Sequence, residues 1–132
     1  MSNPNIYTKD ESHPIPDLDV CDVETELKNG GANLVIVIAS PLKNDQRSRL
    51  RFMRKMDNYL GYITSETFAR HYGKPSPEKT SITIRYHPDT DPSMIKLFND
   101  CHGWVEDNSA ILILKPLACD NQTPQTKTEL RA

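Results

Sequence analysis

Cysteine is scarce in this chain, and its three copies, Cys21, Cys101 and Cys119, lie far apart without a CxxC pair or a Cys/His ligand spacing. An odd, scattered set excludes a complete disulfide framework and predicts reduced thiols. Long apolar runs are missing as well. None approaches the roughly 20 residues that cross a bilayer, and the opening stretch has neither the basic start nor the apolar centre of a secretory signal. The expectation is a cytoplasmic protein with no membrane partner. Basic charge is not in excess either: the formal net charge is −2, which argues against a general nucleic-acid binder unless a strong local patch exists.

Catalytic patterns are equally sparse. Only five glycines are present, and Gly30-Gly31 falls between two apolar segments, so it makes no phosphate-binding loop ahead of a helix. No serine-centred elbow occurs. His13, His71 and His102 have no cysteine or carboxylate at zinc-ligand spacing. His87, Asp89 and Asp91 in HPDTD form a sparse acid/base or ligand set, but turns are rich in Asp and Asp91 is placed to cap a helix. Cys101 falls on an apolar helix face, as a buried inert thiol does. The expectation is no catalytic residue, no metal and no cofactor.

What is present is a low apolar fraction of 36% and ten prolines, the composition of one modest core with irregular flanks. Residues 1–18 carry Pro4, Pro14 and Pro16 among polar residues and read as an extended or flexible N-terminal arm, with Ile6, Tyr7, Ile15 and Leu18 available to dock. Residues 19–117 read as a single domain and 118–132 as a flexible C-terminal tail. Val20 to Leu27 alternates, Asp22, Glu24 and Glu26 on one side and Val23, Thr25 and Leu27 on the other, and Asn29-Gly30-Gly31 turns it into an apolar strand from Leu34 to Ala39.

Asn44 or Asp45 then caps a helix to about Ile63, with Phe52, Met53, Met56, Tyr59, Leu60 and Ile63 on one face and Arg47, Arg51, Arg54, Lys55 and Asn58 opposite. Arg49 falls in the apolar sector and needs a carboxylate or an exit to solvent. Ser65 opens a short helix ended by Gly73. Ile82, Ile84 and Tyr86 mark a strand, Asp91-Pro92 starts a helix whose apolar face runs from Met94 through Cys101 to Val105, and Ala110 to Leu114 is a last strand. The predicted fold is α+β, about four strands in the order β-β-α-(α)-β-α-β with the helices on one face. An apolar patch is then left on the other face, drawn from Val35 and Val37 with Leu112 and Leu114 or the alternate set.

Two charged sets are candidate binding surfaces. Arg47, Arg51, Arg54 and Lys55 at helical spacing suit phosphates or an acidic partner, unless they are simply a solvated helix face. Asp22, Glu24 and Glu26 suit a basic protein, unless they only protect a sheet edge. In the stretch 53–68, Lys55, Asn58, Tyr59, Leu60 and Ile63 make a Lys-x-x-Asn-Tyr-Leu pattern. It resembles a group of small bacterial αβ proteins in which a strand precedes such a helix; the likeness runs from about Cys21 to Leu117. That group has no assigned activity, so the resemblance implies a bacterial αβ domain and transfers no site residues.

The functional expectation is a small protein-binding module without catalysis, such as an immunity or accessory protein that binds a partner protein, a toxin for example, or a second copy of itself. A nucleic-acid-binding regulator using the arginine helix is the first alternative. A small enzyme with an unrecognised site is the second.

Overall fold

The computed structural model describes residues 6–118, and the residues read as a C-terminal tail lie outside them apart from Ala118. Four strands, β1 (Val23–Glu26), β2 (Ala32–Ile38), β3 (Thr80–Tyr86) and β4 (Ile111–Pro116), form one sheet in the order β1-β2-β3-β4. The helices are α1 (Gln46–Ile63), α2 (Glu66–Tyr72), α3 (Pro92–Asp100) and α4 (His102–Asp107). Among the described residues no helix is long and apolar enough to cross a membrane.

β1 and β2 pair antiparallel, with Val23 opposite Val35. Their turn is built on glycine: Gly30 has φ +90°, and a Cβ on Gly31 would lie 1.8 Å from the carbonyl oxygen of Lys79. That close approach exists because Ala32 N–H donates to the same carbonyl at 2.9 Å, joining β2 to the residue ahead of β3. β3 is parallel to both β2 and β4, with Ile82 beside Leu34 and Leu112. Both crossovers step the same way along the sheet, so connections of the usual hand put all four helices on one face.

The core follows that geometry. Ala32, Leu34, Ile36 and Ile38 of β2, Ile82 and Ile84 of β3 and Leu112 of β4 pack against the helices in one buried cluster. α1 begins where the Asp45 carboxylate accepts Ser48 N–H at 2.7 Å, and it buries Phe52, Met56, Leu60 and Ile63, each worth about 2 kcal/mol of transfer. Phe52 meets Phe98 of α3 with ring centroids 4.7 Å apart. Ser65 caps α2 through Phe68 N–H, and Asp91 caps α3 with proline in its first turn. The helix expected to run from Asp91 through Val105 is two, α3 breaking at Cys101 before α4.

The strand register revises the expected patch. Val35 and Val37 align through Thr83 and Arg85 with Ile113 and Lys115, so they share their face with Ile111 and Ile113; Leu112 and Leu114 lie on the helix side with Leu34 and Ile36. Val23 and Thr25 of β1 and Asn33, Ser81 and Thr83 complete the helix-free face. At its centre Asn33 Oδ1 accepts the Ser81 and Thr83 hydroxyls at 2.8 and 2.9 Å.

The arm is a correction. Residues 6–18 do not trail away: Ile15 and Leu18 join the core at 1% exposure each, and the segment crosses the outer side of α1. Proline content signals absence of regular secondary structure, and α1 supplies the side chains that hold such a segment in place.

Candidate functional site

The arginine row is what holds the arm. Arg51, expected on the outward face, is fully buried, and its guanidinium donates five hydrogen bonds to main-chain carbonyls: Ile6 and Thr8 from Nη1, Ile15 from Nε and Nη2, and Pro16 from Nη2, at 2.6–3.0 Å. Burial lowers its pKa from the ordinary arginine value, and five charge-assisted bonds offset that loss of hydration. Lys55 is likewise buried rather than outward. Its Nζ donates to Asp17 O at 2.5 Å and to Asp22 Oδ1 at 2.8 Å.

Asn58 Nδ2 donates to Leu18 O. Nearer the surface, Arg47 pairs with Asp10 at 2.5 Å and Arg54 stacks 4.1 Å above the ring of Tyr7. The four expected binding cations are therefore engaged within the chain. Arg49, which fitted neither face, donates to Asn44 Oδ1 and stays exposed.

Behind the arm lies a trio that sequence reasoning missed, Asp45, Ser48 and His13. His13 Nδ1 accepts Ile15 N–H at 2.9 Å, so the proton of the neutral ring sits on Nε2, which donates to Ser48 Oγ at 3.1 Å. A base for a nucleophilic serine needs the reverse polarity. Asp45 takes Ser48 N–H as a helix cap. The trio fastens the arm to α1.

The acidic set separates into two jobs. Asp22 closes the sheet end: Oδ1 takes Lys55 and Oδ2 takes Val37 N–H at 2.9 Å. Glu24 and Glu26 point to the helix side of β1, since Glu24 pairs with Leu34 and Glu26 with Ala32. β1 is the sheet edge, and the C-terminal end of α1 with α2 overhangs it. Tyr62 of α1 donates to Glu24 Oε2 at 2.8 Å, and Tyr72 of α2 makes a short hydrogen bond to the same oxygen.

The result is an open depression of ≈ 730 Å³ walled by Glu24, Glu26, Tyr62, Tyr72, Arg70 and His71. A second hollow of ≈ 250 Å³ adjoins it through Glu24 and Tyr62 and reaches Cys21 and Asn58. Phe68 packs edge-on against Tyr62 and tilted against Tyr72, with centroids 5.3 and 4.7 Å away, which fixes both phenol rings.

The two phenols and the thiol beside the depression are held in their protonated forms. Burial, then the hydrogen bond to Glu24 and its charge, push Tyr62 up to about 12, and the same causes raise Tyr72 further. Burial raises the Cys21 thiol. Each shift keeps the group protonated near neutrality, the wrong direction for an activated nucleophile.

Among the described residues no three His, Cys, Asp or Glu side chains come together to hold a metal ion. In HPDTD, His87 Nδ1 accepts Asp89 N–H while Asp91 caps α3. Tyr62 and Tyr72 were invisible to sequence reasoning, because only the folded edge brings residues of α1 and α2 onto one oxygen of β1. No family model, no curated protein and no solved structure matches the chain.

Proposed function

We propose that this protein is a protein-binding module that captures a basic segment of a partner in the acid–tyrosine depression beside β1. The observation carrying this reading is the clamped carboxylate: both tyrosine hydroxyls donate to one oxygen of Glu24, at the wall of an open depression shared with Glu26. A carboxylate so fixed loses little rotamer freedom on binding. Phenol faces beside it attract a lysine ammonium or an arginine guanidinium, adding about 0.5–2 kcal/mol to the ionic contact.

A basic toxin neutralised by an immunity or accessory protein is one partner of that chemistry. The cytoplasm is the compartment this reading assumes, in keeping with free thiols at Cys21 and Cys101. The nucleic-acid alternative is less favoured, because two of its four cations, Arg51 and Lys55, are spent inside the fold and only Arg47 and Arg54 stay at the surface.

Titration calorimetry with a lysine- and arginine-containing peptide tests the reading. Wild type binds it, Glu24→Gln with Glu26→Gln weakens binding roughly tenfold or more, and added salt weakens it further. Equal affinity for an acidic peptide of the same length sinks the reading.

A further inference from the structure

β1 is an edge strand, and the phase of its hydrogen bonds decides which main-chain groups its outer side presents. Leu27 N–H donates to Gly31 O at 2.8 Å, so the alternation of an antiparallel ladder makes Thr25 with Asn33 and Val23 with Val35 the hydrogen-bonded pairs of the hairpin. Ala32 N–H agrees with that phase, since it turns away from β1 to Lys79 O. The N–H and C=O groups of Glu24 and Glu26 therefore face away from β2, toward the free edge. Among the described residues these four groups meet no protein partner.

The same two residues are exposed, and their side chains stand in the wall of the depression on the helix side. Tyr62 and Tyr72 hold Glu24 by Oε2, and Glu26 lies two positions along the strand. Across the hairpin they face only Leu34 and Ala32. Neither carboxylate has a cation within ion-pair distance among the described residues. Arg70, the cation of the wall, is turned to Glu66 at 3.7 Å.

Proteins blunt open edges with proline, lysine or a bulge. The other edge, β4, ends in Lys115 and Pro116, whereas Val23–Glu26 contains neither residue type and keeps unbroken register. Its two carboxylates repel an acidic strand and attract a basic one.

We propose that the basic segment taken up by this protein binds as an added antiparallel strand on β1, with two lysine or arginine residues two positions apart set opposite Glu26 and Glu24. The proposal rests on the acid–tyrosine reading given above and supplies it with a conformation and a spacing. Main-chain N–H and C=O groups of the two basic residues pair with those of the two glutamates. Their side chains enter the depression, where carboxylates and phenol faces meet the cations. The residue between them lies beside Thr25 on the helix-free face, a position suited to a β-branched side chain.

Four peptides test the mode, each with two lysines among threonine and valine. The first has its lysines two positions apart and the second three apart. The third is the first N-methylated on one lysine amide, and the fourth is the first N-methylated on the residue between the lysines, whose amide faces away from β1. In calorimetry the first should bind tightest, the second and third roughly tenfold weaker, and the fourth tighter than the third. Amide exchange at Glu24 and Glu26, followed by NMR, should slow roughly tenfold or more when the first peptide is bound. Equal affinity for the two spacings, equal loss from the two N-methyl positions, or unchanged exchange at Glu24 and Glu26 overturns strand addition. If the lysine peptides still bind better than an acidic peptide in that case, the depression remains the binding site. If no lysine peptide binds, both readings fall together.

Discussion

Arg51 and Ile15 stand 36 positions apart in the chain, and the guanidinium of the first meets the carbonyl of the second twice, through Nη2 at 2.6 Å and Nε at 3.0 Å. With three further bonds to Ile6, Thr8 and Pro16, one side chain anchors most of the segment ahead of β1.

Arg51→Met should therefore destabilise the fold by about 3 kcal/mol or more, since several main-chain acceptors are left facing apolar surface. Arg51→Lys should recover only part of this, because an ammonium has three donors and no planar fork. Urea unfolding gives the magnitude, and protease cleavage within residues 6–18 should rise in both variants. A stability change no larger than a surface substitution, with the segment still protected, would contradict the anchoring role.

Lys55 and Asp22 should respond unequally to truncation although they share one ion pair. The Lys55 side chain is 1% exposed and Asp22 is 22% exposed. Asp22→Ala strands a buried ammonium and frees Val37 N–H, costing about 3 kcal/mol. Lys55→Met leaves a carboxylate that still reaches water and still accepts from Val37, costing about 1 kcal/mol. Equal losses in urea titrations of the two variants would show that burial does not set the difference.

His13 gives the fold a pH dependence. Burial, reinforced by Arg51 and Arg47, holds its pKa below 6.5 in the folded chain. As pH falls through about 6.5 the unfolded chain takes up the proton first. The stabilisation is complete above that pH and is lost progressively toward the lower folded value. Protonation also sets a new N–H against Ile15 N–H at Nδ1. Hydrogen bonds from Ser12 and Arg47 hold the Asp10 carboxyl well below the usual range, so it stays charged throughout this window. The urea midpoint should fall between about pH 7.5 and 5.5, with a shallower fall in His13→Gln; identical slopes would assign the effect to other groups.

The same residues explain how far the sequence could be read. Phe52, Met56, Leu60 and Ile63 recur at helical spacing because one stripe must meet the sheet, and the structure buries all four. Asn29-Gly30-Gly31 announced the hairpin because only glycine accepts φ +90° without strain and tolerates Lys79 so near. Arg51 and Lys55 misled for a definite reason: helical periodicity places charge opposite the apolar stripe but carries no information about a second layer on that side.

The apolar side chains Ile6, Tyr7, Ile15 and Leu18 are the one hint of that layer in the sequence. In the sequence Glu24 reads as a contact for a basic partner or as an edge guard, and nothing local announces its tyrosine partners, Tyr62 and Tyr72, 38 and 48 positions away. Long-range pairing of that kind has no local signature.

The bonds from Arg51 end on carbonyl oxygens and on no side chain of the segment it holds. Such recognition is blind to amino-acid identity. Arg51 itself places no demand on the side chains at positions 6, 8 and 16, whose carbonyls it holds, whereas Ile15 and Leu18 are fixed by the core they fill. Divergent descendants of this chain should keep the arginine and those two apolar positions while the residues between them change.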